Sequence, residues 1–162
     1  MSTKPIPWWR NARGEWYVVA QVLLMVAVLA GPGLDRASWG GPWATAAFAG
    51  GVALGALGAA LAIAGLLALG RNLTPLPHPR EGATLVARGP YAIVRHPIYA
   101  GISWAAFGWA LGWRSPATLV LAAALFVFFD VKSRREERWL CEAFAGYGEY
   151  RRRVKKLVPF LY

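Results

Sequence analysis

The chain has 162 residues, 57% of them hydrophobic, and a net charge of +10. The apolar residues come in long blocks, which excludes an ordinary soluble domain and describes a chain that lies in a membrane. A strongly basic balance also suits nucleic acid, but the blocks separate the charges and aromatic-rich RNA-binding signatures are absent, so no nucleic-acid partner is expected.

Four apolar segments are expected as helices of an all-α membrane bundle, at about 16–34, 43–69, 97–113 and 117–145. Crossing a bilayer core takes roughly 20 residues, which the first two supply. Basic residues precede the first segment, as in a signal peptide, but its apolar run is long and Pro32 crowds any cleavage point. We read it as a retained helix. The third and the apolar part of the fourth are short. Only Arg114, Ser115 and Pro116 separate them, predicting a tight hairpin that does not fully reach the far surface.

Charge sets the orientation. Lys4, Arg10 and Arg13 lie ahead of the first segment, and Arg71, Arg80, Arg88 and Arg95 lie between the second and third. Nine more basic residues lie from Lys132 onward, so only Arg36 and Arg114 of the eighteen fall on the outer side. The pattern puts both termini, the loop 71–97 and the tail 132–162 in the cytoplasm, in an inner cell membrane. The basic residues would meet anionic lipid headgroups there. Tryptophans 8, 9, 16, 39, 43, 113 and 139 fall near segment ends, where interfacial anchors belong. An even number of crossings separates the loop ending in Arg95-His96 from the tail. The two share one side of the membrane, and a site there is built from both.

The second segment holds Gly51, Gly55, Gly58 and Gly65, and the third holds Gly108 and Gly112. Small residues four apart let helix backbones approach in lipid, and we expect packing inside one chain, as a monomer, rather than between copies. Cys141 is the single cysteine, which excludes an internal disulfide, and it reads as a helix-face filler. No His/Cys cluster has metal-ligand spacing, so no metal is expected.

The stretch RGPYAIVRHPIYAG, 88–101, carries the densest chemistry. Pro97 suits the first turn of a helix and pushes His96 into extended backbone. Free N–H groups at that helix start favour an anion, and Arg95 adds a charged fork. Tyr91 and Tyr99 offer flat faces with polar tips. The equipment fits a small ligand with a carboxylate and an aromatic ring. It equally fits an interfacial anchor, with arginine on lipid phosphate and tyrosines in the headgroup layer. Further on, Lys132 and Glu136 share one helix face, with Glu136 about 7 Å beyond Val131 and level with His96. Trp139, Leu140, Ala143, Phe144 and Tyr147 are expected as one apolar stripe on a helix that continues past the membrane.

Residues 73–159 resemble the isoprenylcysteine carboxyl methyltransferase family, whose relatives include the membrane phospholipid methyltransferases. The resemblance rests on LTPLPHP (73–79), LVARGPYAIVRHPIYAG (85–101), EERWL with F-x-G-Y-x-x-Y (136–150), and a closing VPF. It implies one membrane-embedded methyltransferase domain over 1–162 that binds S-adenosylmethionine and releases S-adenosylhomocysteine. By the resemblance, Leu85, Val86 and Tyr91 line the cofactor pocket, Arg95, His96, Pro97 and Tyr99 form its other wall, and Glu136 closes it. Glu136, His96 and Arg95 are then the candidate catalytic residues. Lys132 stands where the isoprenylcysteine enzymes carry a substrate-contacting arginine, and it lacks the planar bidentate clamp. The spacing from Phe144 to Tyr147 is also one residue shorter than the family's. The membrane body implies a lipophilic or lipid-modified acceptor, an isoprenylcysteine-like carboxylate or a phospholipid amine. An amine must lose a proton, for which Glu136, Glu137 and His96 are the candidates. The rivals are an NADPH-dependent membrane reductase of related architecture, a small transporter, and a non-catalytic membrane helper.

Overall fold

The computed structural model describes residues 13–35, 40–80 and 82–162. Lys4, Arg10, Arg36, Trp8, Trp9 and Trp39 lie outside the described residues. Five α-helices follow in order: α1 (Glu15–Ala30), α2 (Trp43–Leu69), α3 (Pro97–Trp113), α4 (Pro116–Ala143) and α5 (Tyr147–Arg153). Among the described residues there is no β-strand, and one isolated bridge pairs Val94 with Lys155.

The boundaries have local causes. α2 runs 27 residues without proline and stops at Gly70, whose φ of 50° takes it out of the helix. α3 opens on Pro97 and closes at Arg114 in the left-handed region, at φ 54°. Ser115 then caps α4: its hydroxyl accepts from the Thr118 N–H at 3.0 Å, and Pro116 takes the first turn. α1 ends earlier than the expected 16–34. From Gly31 to Gly33 the chain tightens into a 3-10 turn around Pro32, which has no N–H to continue the α-helical ladder.

α4 also differs from the expected 117–145. It stops at Ala143 because Phe144 is extended (φ −128°, ψ 110°) and Gly146 turns the chain into α5. The stripe expected from Trp139 to Tyr147 is therefore cut, and Tyr147 returns toward the bundle on a separate helix.

The glycine ladder is the seam between α2 and α3, the most extensive helix pair. A methyl on Gly51 would lie 2.5 Å from the Gly112 nitrogen, one on Gly58 would lie 2.5 Å from the Ala105 nitrogen, and one on Gly65 would lie 3.0 Å from the Pro97 ring. The small faces are thus consumed inside the chain, with backbone against backbone. α1, the 3-10 turn 31–33 and α2, extended through 70–72, are long and apolar enough to cross a membrane with α4, so the chain is a helical membrane protein. α3, at 17 residues and about 25 Å, falls short of the roughly 20 residues a full crossing takes. Val28, Ala106, Ala122, Leu125 and Phe129 fill the core between α1, α3 and α4. At the other end of the hairpin, the Asp35 carboxylate accepts from the Ser115 hydroxyl and the Ala117 N–H, both at 2.7 Å, tying the end of α1 to the start of α4.

Candidate functional site

The chain between α2 and α3 folds back over the bundle end. Its base is closed by Asn72: the side-chain amide donates to the Thr84 carbonyl at 3.2 Å, and its oxygen accepts from the Thr84 N–H at 3.3 Å. Beneath this cover lies a cavity of about 380 Å3, of small-molecule size. Its walls come from the cover (Leu73–Pro77, Leu85, Val86, Tyr91), from α3 (Tyr99, Ile102), from α4 (Lys132, Glu136, Leu140) and from Phe144, Tyr147 and Tyr150. Loop and tail meet around one space.

Of the site residues expected from sequence, Leu85, Val86, Tyr91, Arg95, His96, Tyr99, Lys132 and Glu136 all line this cavity. Pro97 does not. It is buried behind, where Gly65 leaves room for its ring.

The two adjacent glutamates have different surroundings. Glu136 lines the cavity, and its carboxylate accepts from the Tyr99 hydroxyl at 2.7 Å. Among the described residues no cation forms an ion pair with it. Tyr99 is fixed from both sides, stacked on His96 at 5.4 Å and on Phe129 at 4.7 Å between ring centres. Glu137 points the other way, 3% exposed. It accepts from Arg95 Nε at 2.8 Å and from His96 Nε2 at 3.1 Å, with Arg151 Nε at 3.3 Å. With all three taken up, Glu137 is a structural anion rather than the base considered from sequence.

Arg95 differs from the free fork expected of it. Besides Glu137, its guanidinium donates to the Arg151 and Val154 carbonyls. The backbone is held equally firmly: the Arg95 N–H donates to the Lys155 carbonyl at 2.8 Å and the His96 N–H to the Lys156 carbonyl at 3.1 Å. His96 turns Nε2 to the Glu137 carboxylate, to which it donates, and Nδ1 is the ring nitrogen left to other partners.

Lys132 is 1% exposed. Its ammonium donates to the Gln21 amide oxygen at 2.5 Å and to the Pro75 carbonyl at 3.2 Å, and lies 5.0 Å from the centre of the Tyr99 ring. Gln21 on α1 and the tail tyrosines were not expected from sequence. Tyr150 donates to the Tyr91 carbonyl at 2.6 Å and so seats the cover on α5. The Tyr147 hydroxyl is buried and, among the described residues, has no partner. Burial and then the Glu136 carboxylate push the Tyr91 phenol well up, and burial and then Glu137 do the same for Tyr147. Both remain neutral hydroxyls at any physiological pH. The signal for Tyr147 was present in its recurrence with Tyr150, which sequence reasoning read as packing.

The described residues hold no group of His, Cys, Asp and Glu able to bind a metal ion.

Residues 46–146 match the phospholipid methyltransferase family. A relative covering most of the chain is the cobalt-zinc-cadmium resistance protein CzcN of Cupriavidus metallidurans, 33% identical over 153 residues, 94% of this chain and 65% of that protein. The nickel-cobalt-cadmium resistance protein NccN of Alcaligenes xylosoxydans is 28% identical over 153 residues, 66% of its own length. The chain thus spans just under two thirds of these two relatives. The protein-S-isoprenylcysteine O-methyltransferase of Schizosaccharomyces pombe is 36% identical over 83 residues, 48% of this chain and 34% of that enzyme.

Proposed function

This chain belongs to the phospholipid methyltransferase family, and on that premise we propose that it is an S-adenosylmethionine-dependent methyltransferase working at the membrane interface. Its acceptor is lipophilic or lipid-modified, an isoprenylcysteine-like carboxylate or a phospholipid amine. It acts as a single unit, a monomer in the cell membrane with loop 71–97 and tail 132–162 on the cytoplasmic side.

The observation that carries the reading is Glu136: a carboxylate on the wall of a largely apolar cavity, held by a neutral hydroxyl, near the Lys132 charge but in no ion pair among the described residues. A partly buried anion of this kind calls for a cationic ligand. The orphaned Tyr147 hydroxyl adds a second vacant hydrogen-bonding position on the same cavity. These features fit a sulfonium-bearing cofactor, with Glu136 opposite the positive charge and Leu85, Val86 and Tyr91 along its apolar and flat parts. When bound, that cofactor supplies the methyl group for direct in-line displacement. The residues' own contribution is alignment and exclusion of water, which together can supply several kcal/mol. Tyr99, stacked between His96 and Phe129, holds the Glu136 carboxylate in one orientation. Lys132 presents a point charge on the cavity wall. A carboxylate acceptor needs no base, whereas an amine gives up its proton to Glu136 or to His96 Nδ1.

Calorimetric titration of the detergent-purified protein with S-adenosylhomocysteine, with NADPH as comparator, tests this reading. One-to-one binding of the first alone is expected. Absence of binding to folded protein, or preference for NADPH, refutes it.

A further inference from the structure

Independently of the methyl-transfer reading, the back of α4 carries a second site. Arg134, Glu137 and Arg138 line a groove of about 510 Å3, closed by Arg151 and Arg152 of α5 and by Lys155 of the tail. Its lining holds seven cations and one carboxylate. Part of that charge is answered. Asp130 lies 2.6 Å from Lys156 and 2.7 Å from Arg134, and Glu137 lies 2.8 Å from Arg95. The rest is not. Arg138 and Lys155 are exposed and, among the described residues, make no side-chain hydrogen bond or ion pair. The Arg151 and Arg152 side chains are 56% and 75% exposed and only loosely approached by carboxylates, at 3.3 and 4.0 Å. A concave surface with this excess of forked and point donors is built for an oxyanion.

The surroundings identify which one. Arg138 lies about 10 Å along α4 from Val131, where the apolar run ends, which is headgroup depth. Leu161 lines the groove and is 78% exposed, and Phe160, its chain neighbour, is 90% exposed. A soluble anion would leave those two side chains in water, whereas the boundary between headgroups and acyl chains covers them. We infer that this groove binds the phosphate of an anionic phospholipid headgroup, with Arg138 and Lys155 as its principal free donors and Phe160 and Leu161 seated in the acyl boundary.

The test uses the full chain in neutral detergent, titrated by thermophoresis with short-chain dioctanoyl phosphatidylglycerol, dioctanoyl phosphatidylcholine and inorganic phosphate. Phosphatidylglycerol is expected to bind about tenfold tighter than the other two. The pair Arg138→Gln/Lys155→Gln is expected to weaken it about tenfold, since each basic residue near the headgroup layer contributes substantially. The pair Arg71→Gln/Arg88→Gln removes the same charge away from the groove and should cost less than about twofold. The charge-preserving pair Arg138→Lys/Lys155→Arg should retain binding, which separates lost charge from lost fold. Equal binding of phosphatidylcholine, an equal loss in the remote pair, or loss in the charge-preserving pair overturns the inference. Comparably tight binding of inorganic phosphate overturns the lipid assignment in favour of a soluble anion.

Discussion

Replacing Gly101 by alanine tests how tightly the bundle defines the site. The added methyl would meet the Gly58 carbonyl oxygen, the Ala62 nitrogen at 2.5 Å and the Ala62 methyl at 2.8 Å. Two of those three atoms are backbone of α2 and cannot rotate away. Ordinary contact starts near 3.4 Å, so α2 and α3 must part by about 1 Å at this point. Overpacking of this kind costs about 1–3 kcal/mol, offset by a helix-propensity gain of up to about 1 kcal/mol. Gly55 supplies the matched control in the same seam, because a methyl there meets nothing within 4 Å. Gly55→Ala should therefore be neutral or stabilising and Gly101→Ala destabilising by about 1–2 kcal/mol. The shift also moves Tyr99, half a turn away, and should weaken cofactor-analogue binding in the Gly101 variant alone. Thermal unfolding in detergent, followed by tryptophan fluorescence, reads the stability, and calorimetry with S-adenosylhomocysteine reads the site. If the two variants unfold at the same temperature, the close approach of α2 and α3 is wrong.

Three further outcomes follow from the site. Glu137→Gln leaves Arg95 and His96 without their buried anion and should cost about 3 kcal/mol or more in unfolding measurements, whereas Glu136→Gln should change stability little and abolish S-adenosylhomocysteine binding. The reverse pattern would exchange the roles of the two glutamates. Tyr147→Phe removes a buried hydroxyl that has no partner among the described residues, so the ligand-free protein should gain up to about 1 kcal/mol while analogue affinity falls; a loss of stability without ligand would show that the hydroxyl is already satisfied. The Ala117 N–H, and then the Ser115 hydroxyl, hold the Asp35 carboxyl below its ordinary value of 3.8. A depressed carboxylate stabilises the fold fully above that value, and the contribution disappears as pH falls through the lower folded value. Unfolding measured from pH 6 to pH 3 should show this loss in the parent chain, and Asp35→Asn should lack this component.

The amphiphilic half of the design was readable from sequence because its signals are local. Pro97, Gly70 and the Ser115-Pro116 pair mark helix ends through their own backbone chemistry, and α2 and α3 begin and end where those residues place them. The glycines of α2 and α3 were readable as a packing seam because only a close neighbour explains so many missing side chains. What escaped depends on contacts distant in sequence. Glu136 was singled out from sequence, but Glu137 was kept beside it as a candidate base, and only the packing of α4 against 94–96 and the tail makes Glu137 a buried anchor. Arg95 read as a charged fork for a ligand because its partners, Glu137 and the carbonyls of Arg151 and Val154, lie more than forty residues away. The end of α4 was missed because Phe144 leaves the helix to let Tyr147 and Tyr150 fold back, a tertiary demand with no local breaker before Gly146.

The hydrogen bonds from the Arg95 and His96 N–H groups to the Lys155 and Lys156 carbonyls also make the bundle and its pocket separable. The helices α1 to α4 pack on one another without residues 154–157, whereas the wall around His96 is complete only when that segment is folded against it. Without residues 154–157, Glu137 still holds the Arg95 and His96 side chains and Tyr150 still holds Tyr91, but the backbone N–H groups of Arg95 and His96 lose their acceptors. A chain clipped before Val154 is then an intact bundle with an unfinished pocket, distinguishable from the uncut protein by protease sensitivity of its cover.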